Sequence, residues 1–195
     1  MRTLIAALAL AVAGAPAASA ATFVVKPGDP NKVVFVSQAP TEKFEGKTNQ
    51  MEGRLVLDPA SVGDSITVHL EVDMASLDTG IKKRNQHMRE NHLETAKYPK
   101  AIFDGAAVRG GGKLDGGAPV NFEAEGTFTL HGVSRRIRIP ITATYASKKE
   151  GAQVAFSTNF PVALPDYNIS RPQFLFMKLA EVQQVRVSGV GTLAP

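Results

Sequence analysis

Four long stretches of this chain switch between apolar and polar residues at every step, and that period of two constrains the fold more than any other feature. In Ser65 to Asp73, Ile66, Val68, Leu70 and Val72 fall on one face, opposite Thr67, His69, Glu71 and Asp73. In Val120 to Leu130, Val120, Phe122, Ala124, Phe128 and Leu130 oppose Asn121, Glu123, Glu125, Thr127 and Thr129. Arg135 to Tyr145 sets Ile137, Ile139, Ile141, Ala143 and Tyr145 against Arg136, Arg138, Thr142 and Thr144. Gln153 to Val162 repeats the pattern with Val154, Phe156, Phe160 and Val162. Successive side chains of a strand point to opposite faces, so these are strands with one face dry and one wet.

Shorter strands are predicted at Thr22–Lys26, Lys32–Ser37, Met51–Asp58, Ala101–Arg109 and Val182–Leu193, for about nine in all. Turn residues separate them at Pro27-Gly28-Asp29-Pro30, Asp58-Pro59, Gly110 to Gly117 and Lys148 to Gly151. One segment departs from the pattern. Ile81 to Glu94 is polar, lacks Gly and Pro, and alternates poorly. It predicts a short helix over part of a barrel mouth, with Ile81, Met88 and Leu93 as a thin apolar stripe and Asp78 or Thr79 capping its start. Antiparallel strands of this length fit a sandwich or a closed barrel, and the pattern alone leaves both open.

Residues 1–20 are read apart from the fold. Met1-Arg2 is a short basic start, Leu4 to Ala13 is apolar, and Ala18-Ser19-Ala20 is a small-x-small cleavage site. This is the layout of a secretory signal peptide, with the mature chain expected to begin at Ala21. The apolar run, about ten residues, is too short for ~30 Å of hydrocarbon. Residues 21–195 are expected to form one domain, periplasmic or secreted. The chain has no Cys, which excludes a disulfide scaffold and thiolate chemistry. A net charge of +4 is too mild to argue for a nucleic-acid partner.

No catalytic or metal constellation is legible. There is no G-x-S-x-G elbow and no H-E-x-x-H. His87 and His92 are five apart, about 140° around an α-helix and so not on one face. His131 stands in a Leu-His-Gly turn, where a local hydrogen-bonding role is expected. Lys82, Lys83, Arg84, Arg89, Lys97 and Lys100 cluster around the helix. With His87 they can receive a phosphate or an anionic head-group. Against that stands a plain solvated helix face.

Three runs carry a resemblance. The first is Met74-Ala75-Ser76-Leu77-Asp78-Thr79-Gly80, Arg84-Asn85-Gln86-His87-Met88-Arg89, Tyr98-Pro99 and Ile102-Phe103. The second is Gly126-Thr127-Phe128-Thr129-Leu130-His131-Gly132-Val133-Ser134. The third is Glu52-Gly53-Arg54-Leu55-Val56-Leu57-Asp58-Pro59. In their order and spacing they resemble the YceI-like family of bacterial polyisoprenoid-binding, lipocalin-like periplasmic proteins. The chain departs from the family pattern in places. Asn85 stands where the family usually has Asp. The strand from Asn31 to Ser37 lacks the family's two His, and His92-Leu93 replaces its paired aromatics. The corner Leu164-Pro165-Asp166-Tyr167-Asn168 lacks its Arg, and Asn168 takes the place of a Gly, which the tolerance of Asn for positive φ allows.

The resemblance implies an extended eight- to nine-stranded antiparallel lipocalin-like barrel with one short inserted helix. It also implies a polyisoprenoid or quinone-like molecule in the lumen, and no other cofactor. On this reading the lumen is lined by Phe35, Leu55, Leu57, Ile66, Val68, Leu70, Phe103, Phe122, Phe128, Ile137, Ile139, Phe156 and Phe160, with Arg84 and His87 at the rim. The partner is an apolar lipid, and the chain is not an enzyme. Transient membrane-surface contact and a homodimer stay open. Two other readings are an enzyme on a calycin-like barrel, with Asp78, Arg84 and His87 near the mouth, and an interaction module for a membrane redox partner. The same apolar faces would, without a ligand, pack against one another as a solid core.

Overall fold

The computed structural model describes residues 20–38, 43–62, 66–114, 117–148, 151–174 and 177–195. The expected leader lies outside them except for Ala20, as do Ser65 and the centres of the turns at Gly110–Gly117 and Lys148–Gly151. Every alternating stretch is a strand. The main strands are β1 (Ala21–Val25), β2 (Lys32–Gln38), β3 (Lys43–Thr48), β4 (Met51–Leu57), β5 (Thr67–Asp73), β6 (Lys100–Gly110), β7 (Val120–Leu130), β8 (Val133–Lys148) and β9 (Gly151–Ala163). A two-residue pair follows, β10 (Gln173–Phe174) and β11 (Met177–Lys178), then β12 (Val182–Leu193).

The strands run antiparallel in the order β1-β4-β5-β6-β7-β8-β9-β12-β2-β3, and a β1–β12 pairing closes the sheet. β1 and β2 share one edge of β12, with Val24 opposite Thr192 and Val33 opposite Val187. β4 and β3 are their respective partners on the other side. Taking β1 with β2 and β3 with β4 as single staves gives a closed barrel of 8 strands. The β1–β12 pairing removes the open edge that the sheet would otherwise carry there.

The stave of β1 and β2 is broken between Lys26 and Asn31. There the Asn31 side chain, buried at 3% exposure, stands in for the ladder. Its Nδ2 donates to the Lys26 carbonyl at 2.6 Å, and its Oδ1 accepts from the Val190 amide at 3.0 Å. A buried backbone N–H that would otherwise lack a partner is satisfied in this way.

β3 was not foreseen. Its sequence, Lys-Phe-Glu-Gly-Lys-Thr, is mostly polar and carries a glycine, which weakens any strand signal. The structure explains the glycine: a side chain on Gly46 would overlap the Phe35 ring, whose nearest carbon is 2.0 Å from where a Cβ would sit.

The segment predicted as a helix over Ile81–Glu94 is α1 (Lys82–His87), followed by a π-turn at Met88–His92. Met88 and Leu93 pack against the core, as the stripe required, but Ile81 is exposed at 50% and does not. No side chain caps the helix; its first position follows Ile81. Asp78 and Thr79 instead bond to Asn85. Its Oδ1 accepts from the Thr79 amide (2.8 Å) and hydroxyl (2.6 Å), and its Nδ2 donates to Asp78 Oδ1 (2.7 Å). The amide at position 85 is a donor that a carboxylate could not supply.

The two barrel ends differ. At one, Val62 and Gly112 pair as a bridge and the Leu114 amide donates to the Pro59 carbonyl, which buries Val62 and Leu114 as a floor. At the other lie the helical insert, the β7–β8 hairpin tip and the corner Leu164–Tyr167.

Candidate ligand-binding lumen

Every residue assigned to the lumen belongs to the core cluster or packs directly against it. Phe35, Leu70, Phe128 and Ile137 are half-buried and the others are buried. A small interior void of about 40 Å³ lies toward the floor. It is lined by the predicted Leu55, Leu57, Ile66, Val68, Leu70, Phe103, Phe122, Ile139 and Phe156, and by Leu114, Ile141, Ala143, Val154 and Thr158, which the expected lumen set did not include. Ile141, Ala143 and Val154 lay on stripes already identified, whereas Leu114 sits in a loop and Thr158 is the one polar residue on the inner face of its strand. A void of this size holds about one water. The inner surface is therefore largely filled by its own side chains, and a long ligand enters only as they part.

Phe35, Phe128, Ile137 and Phe160 lie nearer the insert. Phe128 sits edge-on to Phe160 and to Tyr167, with ring centres 5.7 Å and 5.5 Å apart, and Phe35 meets Phe44 at 6.3 Å. Such edge-to-face pairs add roughly 0.5–1.5 kcal/mol each beyond their buried area.

The wall parts beside this cluster. The β8–β9 ladder runs from Lys148–Gly151 to Ile141–Thr158 and stops there. The next residue of β8 is Pro140, which has no N–H with which to extend it. Outside the parting is a groove of about 600 Å³ bordered by Lys32, Glu45, Pro140, Asn159 and Arg186. Thr158 borders both this groove and the interior void.

The rim residues have separate fates. Arg84 donates from Nε to the Thr79 hydroxyl (3.0 Å) and from a terminal nitrogen to the Thr79 carbonyl (2.9 Å). Its guanidinium carbon lies 4.0 Å from the centre of the Phe44 ring. It thus fastens the insert to β3. His87 is exposed on α1. The π-turn also changes how His87 stands to His92. The hydrogen bond there spans five residues instead of four, as the Leu93 amide bonded to the Met88 carbonyl shows, so the helix is wider and the two histidines lie closer in rotation than α geometry implies. His92 Nδ1 lies 3.1 Å from the Ser170 carbonyl. Burial, partly offset by that bond, holds the His92 ring below the usual imidazole range.

His131 has the local role expected of it. With Gly132 it forms the two-residue β7–β8 hairpin, both residues at positive φ (52° and 72°). A Cβ on Gly132 would come within 2.5 Å of the Tyr98 ring. The His131 ring is buried against Tyr98, with Nδ1 3.0 Å from the Tyr167 carbonyl and Nε2 2.8 Å from the Glu94 carboxylate. One side chain joins hairpin, insert and corner. In that corner Asn168 adopts the left-handed conformation (φ 53°), as its replacement of a glycine requires.

Charges lie on the outer wall. His69 bridges Glu71 and Asp104, Lys100 bonds Glu52 and Glu71, and Arg136 and Arg138 flank Glu125. The Lys100 ammonium holds Glu71 below the usual carboxylate range, and Arg138, with Arg136, does the same for Glu125. Among the described residues no three His, Asp or Glu side chains gather at metal-binding distance.

Comparison with known proteins follows the same outline. The model of the YceI-like domain matches residues 15–190. A UPF0312 protein of Pseudomonas syringae pv. syringae is 30% identical over 171 residues, 85% of each chain. Protein YceI of Escherichia coli O157:H7 is 29% identical over 105 residues, 52% of this chain and 51% of that one. Among solved structures, BcnA of Burkholderia cenocepacia superposes with a TM-score of 0.66 at 22% identity, covering 83% of this chain and 96% of its own. A polyisoprenoid binding domain from Saccharophagus degradans, implicated in plant cell wall breakdown, does so with a TM-score of 0.66 at 16% identity, covering 90% and 100%.

Proposed function

The chain belongs to the YceI-like domain family, and from that premise we propose that it binds a long apolar lipid of the polyisoprenoid or quinone-like class inside the barrel. The observation that carries this reading is the continuous hydrocarbon lining of a closed barrel, from the aromatic cluster near the insert to the floor at Leu114. Each methylene moved from water to such a surface is worth ~0.8 kcal/mol, so a multi-unit chain binds tightly without a specific polar contact. The polyisoprenoid binding domain of Saccharophagus degradans shares this barrel, which supports the same ligand class here. A hydrocarbon lining supports binding over catalysis. Residues 1–20 act as a signal peptide on this reading, and the mature protein works in the periplasm or outside the cell.

The small void means that the lipid displaces contacts the side chains make with each other. Binding then exchanges one apolar packing for another, larger one, and the parting between β8 and β9 is where the wall yields most readily. The test is native mass spectrometry of protein taken from its own periplasm, followed by thermal melting with added long-chain isoprenoid. A co-purifying lipid is expected, with a melting temperature that climbs with lipid concentration, since a ligand at 100 times its Kd adds about 2.7 kcal/mol to stability. Protein that carries no lipid and whose melting does not respond to isoprenoids would overturn the reading.

A further inference from the structure

Two side chains on the inner face of the barrel are polar, buried and incompletely bonded. Ser37 is 1% exposed and Gln183 is 7% exposed. Ser37 continues the inward set of Val33 and Phe35, and Gln183 that of Val185 and Val187. They are neighbours across the β2–β12 ladder, one step beyond the pairing of Val36 with Gln184. The Gln183 Nε2 donates to the Ala180 carbonyl at 2.6 Å, which fixes the orientation of the amide. Its Oε1 and the Ser37 hydroxyl have no hydrogen-bond partner among the described residues. A buried polar atom left unpaired costs about 1–3 kcal/mol, and such atoms are few in native interiors. Here two stand side by side at the insert end of the lumen, whereas the Thr158 hydroxyl, also buried without a partner, lies alone nearer the floor.

We propose that Ser37 and Gln183 form the head-group site of the lumen, and that the head-group they take is a neutral hydroxyl, as in a prenyl alcohol or a quinol. This rests on the lumen being the lipid site. The chemistry selects the class. Gln183 Oε1 only accepts, so it needs a donor; a hydroxyl donates to it and accepts from Ser37 Oγ–H in the same position. A quinone carbonyl would satisfy Ser37 and leave Gln183 unpaired. A phosphate brings acceptor oxygens and charge, and the inner register offers it little. The one charged side chain among the described residues with that register is Arg135, which is exposed and donates from Nε to the Asp166 carbonyl. A lipid headed at Ser37 and Gln183 would run its chain past Val187 and Thr158 toward the floor.

The experiment is displacement of a fluorescent long-chain isoprenoid from the purified protein by three probes: squalene, a prenyl alcohol, and the monophosphate of that alcohol. It is repeated with Ser37→Ala and Gln183→Leu. The alcohol is expected to displace about tenfold better than squalene or the monophosphate. That advantage should fall severalfold in either variant, with squalene unchanged. If Gln183→Leu does not fold, Ser37→Ala, which changes one atom, carries the test. An alcohol advantage that survives in the folded variants overturns the site. So does a monophosphate that binds best, which would point instead to Arg89, whose Nε is buried without a partner over the mouth. Failure of all three probes on the unaltered protein refutes the lumen reading itself, and is thereby distinguished from failure of the head-group site alone.

Discussion

Asn85 shows what one atom does at a motif position. Its Nδ2 donates to Asp78, whose carboxylate also accepts from the Gly80 amide at 2.8 Å. The Gly80 bond first, and the Asn85 bond next, hold Asp78 below the usual carboxylate range. A depressed carboxylate contributes stability that is full above its ordinary pKa and is lost as pH falls through its folded value. Asn85→Asp removes the donor and sets two carboxylates together. The variant should melt below the parent at pH 7, and the gap should close as the pH is lowered toward the carboxylate range, where one group takes a proton and donates to the other. Parallel melts across pH 4–8 measure it. A gap that is constant across that range would mean that Asn85 acts through shape alone. The position was visible in the sequence as a departure from the family pattern. Its hydrogen bonds were not, because they depend on how the backbone from Asp78 to Gly80 turns.

The elements were legible in proportion to their burial. Strands with one dry face declare themselves, and the inner stripes of β5, β7, β8 and β9 are those the alternation assigned. β3 pairs with β2 and packs beneath the Phe35 ring without an apolar stripe of its own, so nothing in its composition announced it. The insert was recognised by its failure to alternate, yet its π-turn follows from how it seats on the barrel and leaves no trace in the sequence. What seats it is His131 more than any helix cap. His131→Ala is expected to cost about 2 kcal/mol, through the loss of two side-chain bonds and the contact with Tyr98. Hydrogen exchange should then rise across Lys82–His92 while β7 and β9 stay protected. Uniform loss of protection would show that the insert and the barrel open as one unit.

For the whole molecule, the decisive element is β12, which pairs with β9 along its length and with β2 and β1 on its other edge. A fragment ending at Ala180 should lack cooperative unfolding, because β9, β2 and β1 all lose a partner, and adding a peptide of residues 181–195 should restore it. Circular dichroism melts of the fragment, with and without the peptide, check this; a cooperative melt for the fragment alone would contradict it. The pairing of Phe23 with Leu193 has a consequence in time as well. Contacts so distant along the chain form slowly, since the entropy of closing the intervening loop is lost before the contact stabilises anything. As the chain emerges from a ribosome it has no closing strand to meet, and it stays open and threadable until β12 has been made. A polypeptide that cannot finish folding early can still be drawn through a narrow channel, which suits the export that we propose for a chain led by residues 1–20.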